Sequence, residues 1–83
     1  MELLYTPTAL KRIKTIGAKD QKKIKRKIQD LKTDPMIGIP LKGELSGKRK
    51  IVAWPLRIIY SFNPDTQQVI IEAVDYRGDV YKK

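Results

Sequence analysis

Histidine and cysteine are both absent from the 83 residues of this chain. Their absence excludes disulfides and thiolate metal sites, and it removes the commonest zinc ligand and the commonest acid/base side chain at neutral pH. Long apolar runs are also missing, since no stretch approaches the roughly 20 residues that cross a bilayer. The opening Met1 to Tyr5, with Glu2 in it, is too short and wrongly charged for a secretory signal. A soluble cytoplasmic protein without metal, cofactor or membrane partner is expected. Carboxylates are scarce as well: nine acidic side chains stand against 18 lysines and arginines, a net charge of +9. On so small a surface that excess creates a field favouring polyanions.

The length makes one domain over residues 1–83 with a shallow core, so every apolar stripe must be used. Glu2 to Tyr5 reads as a short strand, after which Thr6-Pro7-Thr8 supplies a capping hydroxyl and a proline suited to a first helical turn. Ala9, Leu10, Ile13 and Ile16 follow at helical spacing as far as Gly17, a residue suited to the position just past a helix end. A second helix is expected from Lys19 or Asp20, with Ile24, Ile28 and Leu31 as one narrow apolar stripe and lysines elsewhere. Asp34-Pro35 ends it.

Residues 36–47, with Gly38, Pro40, Gly43 and Gly47, read as an irregular crossover. From there the period becomes two: Arg49 to Ala53, Arg57 to Asn63 and Gln68 to Asp75 are expected strands, joined by turns at Trp54-Pro55 and Asn63-Pro64-Asp65-Thr66. The fold class is therefore α+β in the order β-α-α-β-β-β, with a helical hairpin packed on a mainly antiparallel sheet.

Alternation places Lys48 and Lys50 on one face of the second strand and Arg49 and Ile51 on the other. In the third strand Ile58, Tyr60 and Phe62 form the bulkier, core-facing set, so Arg57 emerges on the open face, within reach of a lysine from its hairpin neighbour. Arg77 and Tyr81, just past the fourth strand, are placed to close the same cleft. Such a cluster suits a phosphodiester: arginine grips phosphate oxygens in a fork, lysine adds a point charge, and tyrosine stacks on a base or gives a proton. In RNA cleavage by 2′-hydroxyl attack, preplaced cations stabilise the charge that grows on the phosphate oxygens.

Each residue also has a plainer use. Arg57 has Glu72 and Asp75 as candidate cross-strand partners, and Arg77 has Asp79. Tyr81 is open to a role as a packed anchor, and Trp54 is either a core plug or an exposed aromatic.

The run Leu41-Lys42-Gly43-Glu44-Leu45-Ser46-Gly47, the strand Leu56-Arg57-Ile58-Ile59-Tyr60 and the closing Tyr76-Arg77-Gly78-Asp79-Val80-Tyr81 resemble the RelE/ParE superfamily of type II toxin–antitoxin toxins. The resemblance covers essentially the whole chain. It implies a ribosome-dependent endoribonuclease that cuts translated mRNA, with Lys48 and Lys50 for charge stabilisation or proton abstraction, Arg57 and Arg77 on the scissile phosphate and Tyr81 for stacking or proton transfer; Lys50, Arg57, Arg77 and Tyr81 are expected to be catalytic, and Lys48, Arg49, Trp54 and Lys82 to contact the RNA. It also implies a wrapping acidic antitoxin, and operator DNA bound only by the toxin–antitoxin complex. The ParE-like alternative is a protein-binding inhibitor of DNA gyrase, and a third is a catalytically weak RNA-binding relative. Val52 stands where the family customarily has a basic hairpin residue, and Tyr76 where many members have histidine.

Overall fold

A computed structural model describes residues 1–76. Strand β1 (Glu2–Tyr5) leads into helix α1 (Pro7–Thr15), and Thr6 is the hinge between them. The Thr6 hydroxyl accepts the Ala9 N–H at 3.1 Å and donates to the Glu72 carbonyl at 3.0 Å, so one side chain caps the helix and ties it to the sheet. Helix α2 (Ala18–Thr33) follows at once. Gly17 does not take the left-handed conformation of a C-terminal glycine: its φ is −61°, and it is the N-cap of α2. The last carbonyls of α1 are satisfied instead by the Gln21 side-chain amide, which donates to Ile13 and Ile16, both at 2.9 Å. Helix α2 starts at Ala18, one residue ahead of the expected Lys19.

The stripe expected on α2 is buried as a unit, with Ile24, Ile28 and Leu31 all in the core. Fully burying an aliphatic side chain of this kind is worth about 1.5–3 kcal/mol. Opposite them lie Leu56, Ile58 and Tyr60 of β4 (Leu56–Asn63) and Val69, Ile71 and Val74 of β5 (Gln68–Tyr76). Ala53 of β3 (Arg49–Ala53) completes the same layer.

The sheet has five strands in the order β1-β5-β4-β3-β2, where β2 is the two-residue Ile39–Pro40. All neighbours are antiparallel except β1 and β5, which run parallel from Glu2↔Gln68 to Tyr5↔Ile71. The helical hairpin covers one face, and no described element covers the other. No helix among the described residues is long and apolar enough to cross a membrane.

The crossover departs from the irregular segment expected. It contains β2 and a 3₁₀ turn over Gly43–Leu45, and it is pinned from below. Tyr60 reaches through the sheet edge, where its hydroxyl accepts the Gly38 N–H at 2.9 Å and donates to the Pro35 carbonyl at 2.7 Å. Gly38 is required at that contact. A methyl group there would meet the Tyr60 hydroxyl, with the Tyr60 ring 2.7 Å and the Lys50 carbonyl 2.9 Å away.

The candidate phosphate-binding face

Hairpin β3–β4 sets the site by its register. Val52 lies opposite Arg57 and Lys50 opposite Ile59, so Lys50 and Arg57 are diagonal neighbours on the face away from the helices. Such diagonal pairs stand about 7–8 Å apart at the backbone, close enough for two long cationic side chains to address one phosphate. Lys48 extends the row at the strand's approach. The expected placement of Lys48, Lys50 and Arg57 on one open face follows from the same alternation, because Ile58 and Tyr60 are fully buried on the other side.

Two carboxylates share this face, and their partners decide which cations remain available. Between Ile59 and Tyr60 the β4–β5 register shifts: Ile59 pairs with Ala73, but Tyr60 pairs with Ile71. The extra residue is Glu72. A bulge of this kind turns its side chain outward beside Ala73, where Lys48 Nζ meets Glu72 Oε1 at 2.6 Å. Burial pushes the Glu72 carboxyl up. The hydrogen bonds from Lys48 and Ser61, with the Lys48 charge, outweigh it and hold the group below its ordinary value. Asp75 sits opposite Arg57 in the ladder, yet its carboxylate lies 3.5 Å from Arg12 Nε of α1.

Arg57 is thereby left over. Among the described residues it makes no ion pair, and its Nε is buried without a hydrogen-bond partner. A guanidinium with an unsatisfied buried donor is costly, and an incoming anion would satisfy it. The cross-strand pairing with Glu72 or Asp75 that the sequence left open does not form, because Lys48 and Arg12 hold those carboxylates.

Arg49, expected to contact RNA, does not share the face of Lys50 and Arg57. Its guanidinium lies on the helix side, donating to the Gly38 carbonyl at 2.8 Å and the Met36 carbonyl at 3.3 Å, so it braces the crossover. Trp54 is no core plug: it is 66% exposed at the tip of the hairpin, with its carbonyl accepting from Lys23 Nζ at 3.2 Å. Arg77, Tyr81 and Lys82 lie outside the described residues. Tyr60 does not serve this face, because it is buried on the helix side with its hydroxyl held by Gly38 and Pro35; that burial raises its phenol above the ordinary value of 10.0, and the Gly38 hydrogen bond offsets only part of the rise. The sequence offered Glu72 as a partner for Arg57, and its pairing with Lys48 instead could not be read because a bulge leaves no mark on hydrophobic period.

Comparison with known proteins gives a consistent result. The family model for the ParE toxin of the type II toxin–antitoxin system parDE matches residues 3–81. No curated protein sequence matches the chain. Among solved structures, the RelBE2 toxin–antitoxin complex of Mycobacterium tuberculosis superposes with a TM-score of 0.84 at 24% identity, over 92% of this chain and 96% of that one. A YoeB/ParE toxin from Agrobacterium tumefaciens gives 0.82 at 21% identity, over 93% and 99%. The isolated RelE toxin of E. coli gives 0.80 at 23% identity, over 96% and 89%. The two-helix, five-strand α+β arrangement is thus the RelE-like toxin fold.

Proposed function

Because the chain belongs to the ParE toxin family of type II toxin–antitoxin systems, we propose that it arrests growth as an endoribonuclease, cutting translated mRNA on the ribosome. The observation that carries this reading is the Arg57 guanidinium, beside Lys50 on an open face, with a buried Nε that nothing among the described residues satisfies. In this mechanism Arg57 grips the non-bridging oxygens of the scissile phosphate and Lys50 adds a point charge. The negative charge that develops as the 2′-oxygen attacks phosphorus is stabilised there. Lys48 and Glu72 form an ionised pair at the border of the site, with Lys48 oriented toward the RNA strand. Arg77 would join the phosphate contacts, Tyr81 would stack on a base or pass a proton to the leaving 5′-oxygen, and Trp54 and Lys82 would hold flanking nucleotides.

The chain has no histidine to act as general acid or base, so the intrinsic cleavage is slow and depends on the ribosome to align the RNA. The protein acts in the cytoplasm. An acidic antitoxin neutralises its +9 charge, and operator DNA is met only through the complex of the two.

The matched family model is the ParE one, which supports a second reading, inhibition of DNA gyrase by protein binding with no use for a phosphate site. Primer-extension mapping of a message translated by purified ribosomes separates the two. Codon-positioned cuts are expected, and Arg57→Ala should lower their rate by about 100-fold or more, the usual loss when one oxyanion donor is removed. Its urea midpoint should not fall, since no ion pair is lost. Intact message together with gyrase-dependent DNA breaks would establish the second reading instead.

A further inference from the structure

Strand β1 ends at Tyr5, opposite Ile71, so no strand among the described residues borders residues 72–76 of β5 on their outer side. Helix α1 packs against β5, and Arg12 reaches the sheet at this open margin. Its guanidinium carbon stands 5.7 Å from the centre of the Tyr76 ring, and its Nε lies 3.5 Å from the Asp75 carboxylate. An arginine within about 6 Å of an aromatic face is attracted by the ring. The Tyr76 hydroxyl donates in turn to Asp20 of α2 at 3.1 Å, so the ring beneath Arg12 is itself fixed.

Asp75 has a second cation within range. It is the ladder partner of Arg57, and the Cβ atoms of directly opposed residues stand about 4.5–5.5 Å apart, where opposite charges pair. The Asp75 side chain is 49% exposed, which leaves it room to turn. The buried Arg57 Nε lacks a hydrogen-bond partner, and a guanidinium fork matches a carboxylate as well as it matches a phosphate. Yet the carboxylate lies with Arg12. A donor that the fold could satisfy from within is left open, and local rules broken in this way mark functional positions.

We propose that Asp75 is a built-in competitor for the phosphate site and that Arg12 is the positioning residue that keeps it away. Arg12 acts through Asp75 rather than on the phosphate. By occupying that carboxylate at the margin of β5 it leaves the Arg57 guanidinium open; without it Asp75 turns to Arg57 and fills the site from within. Helix α1 contributes no residue to the phosphate-binding row, but it decides whether the row can take its ligand. The inference rests on Arg57 as the phosphate ligand, the reading proposed above.

Anisotropy of a fluorescein-labelled single-stranded RNA octamer, measured on the full chain, reads the site without ribosomes. At 0.1 M salt, where exposed charges more than about 10 Å away are screened, Lys11→Ala controls for the loss of one α1 cation and should have little effect. Arg57→Ala and Arg12→Ala should each weaken binding at least about 10-fold, the loss of one charge-assisted hydrogen bond. Asp75→Asn alone should leave binding nearly unchanged, yet added to Arg12→Ala it should restore it. A merely structural role for Arg12 does not produce that non-additivity. Arg12→Lys, which keeps a cation beside Asp75, should recover most of the binding. Without any RNA, a double-mutant cycle of Arg57→Ala and Asp75→Asn in urea should show no coupling in the wild type. Once residue 12 is alanine, a coupling of roughly 2- to 5-fold in the unfolding constant is expected.

An Arg12→Ala defect that Asp75→Asn fails to rescue, or the absence of coupling between residues 57 and 75 in that background, would overturn the proposal. If Arg57→Ala leaves RNA binding unchanged while the coupling appears, the phosphate reading fails and the exchange of Asp75 between Arg12 and Arg57 stands.

Discussion

Tyr60 joins three parts of the molecule through one hydroxyl. Its ring is fully buried, its oxygen accepts from Gly38 and its proton goes to Pro35, so it fixes the crossover over the same strand that presents Arg57. Tyr60→Phe keeps the ring and strands the buried Gly38 amide, which should cost roughly 1–3 kcal/mol. Urea denaturation measures it, and a loss below about 0.5 kcal/mol would mean that the amide finds another acceptor. At this scale Arg57 was legible in the sequence, because Ile58, Tyr60 and Phe62 are bulky enough to fix which side of β4 is buried. Arg49 was not. Alternation already put it opposite Lys48 and Lys50, but its carbonyl partners come from a crossover whose path no local pattern encodes.

Among the elements, both helices and the three long strands could be read from their periods, since each repeats its signal over at least one full turn or two pleats. β2 could not, because two residues carry no period and their pairing depends on Tyr60 and Arg49 holding the crossover in place. The bulge in β5 was equally hidden, and it decides the chemistry of the open face by turning Glu72 toward Lys48. Since the folded Glu72 carboxyl titrates below its ordinary 4.5, its contribution to stability is complete above that value and is lost as pH falls through the lower folded value. Glu72→Gln should therefore lower the urea midpoint at pH 7 and lose less than the wild type between pH 5 and pH 2. Parallel curves for the two proteins would show that the pair contributes nothing to holding the bulge.

Charge governs the whole molecule. Ten of the basic side chains precede Pro35, against four acidic ones, so the helical hairpin carries most of the excess. The ion pairs among the described residues are Arg12–Asp75, Lys23–Asp20 and Lys48–Glu72, too few to offset it. Self-repulsion of this kind destabilises the compact state. Raising the salt from 0.01 to 0.1 M shortens the screening length from about 30 to about 10 Å. The melting temperature should then rise, by about 4–8 °C for each 1 kcal/mol of repulsion relieved. A fall would show that the ion pairs outweigh the net charge.

The parallel ladder between β1 and β5 has a consequence for how the protein is made. Residues 2–5 can find their neighbours only once residues 68–71 exist, so β1 waits while two helices and three strands are made. Until then the apolar stripe of α2 has only part of a sheet to lie on, and closing so distant a contact is slow. A product cut short before β5 would carry Arg57 and Lys50 on an incomplete scaffold, so the candidate site is assembled only after β5 has been made.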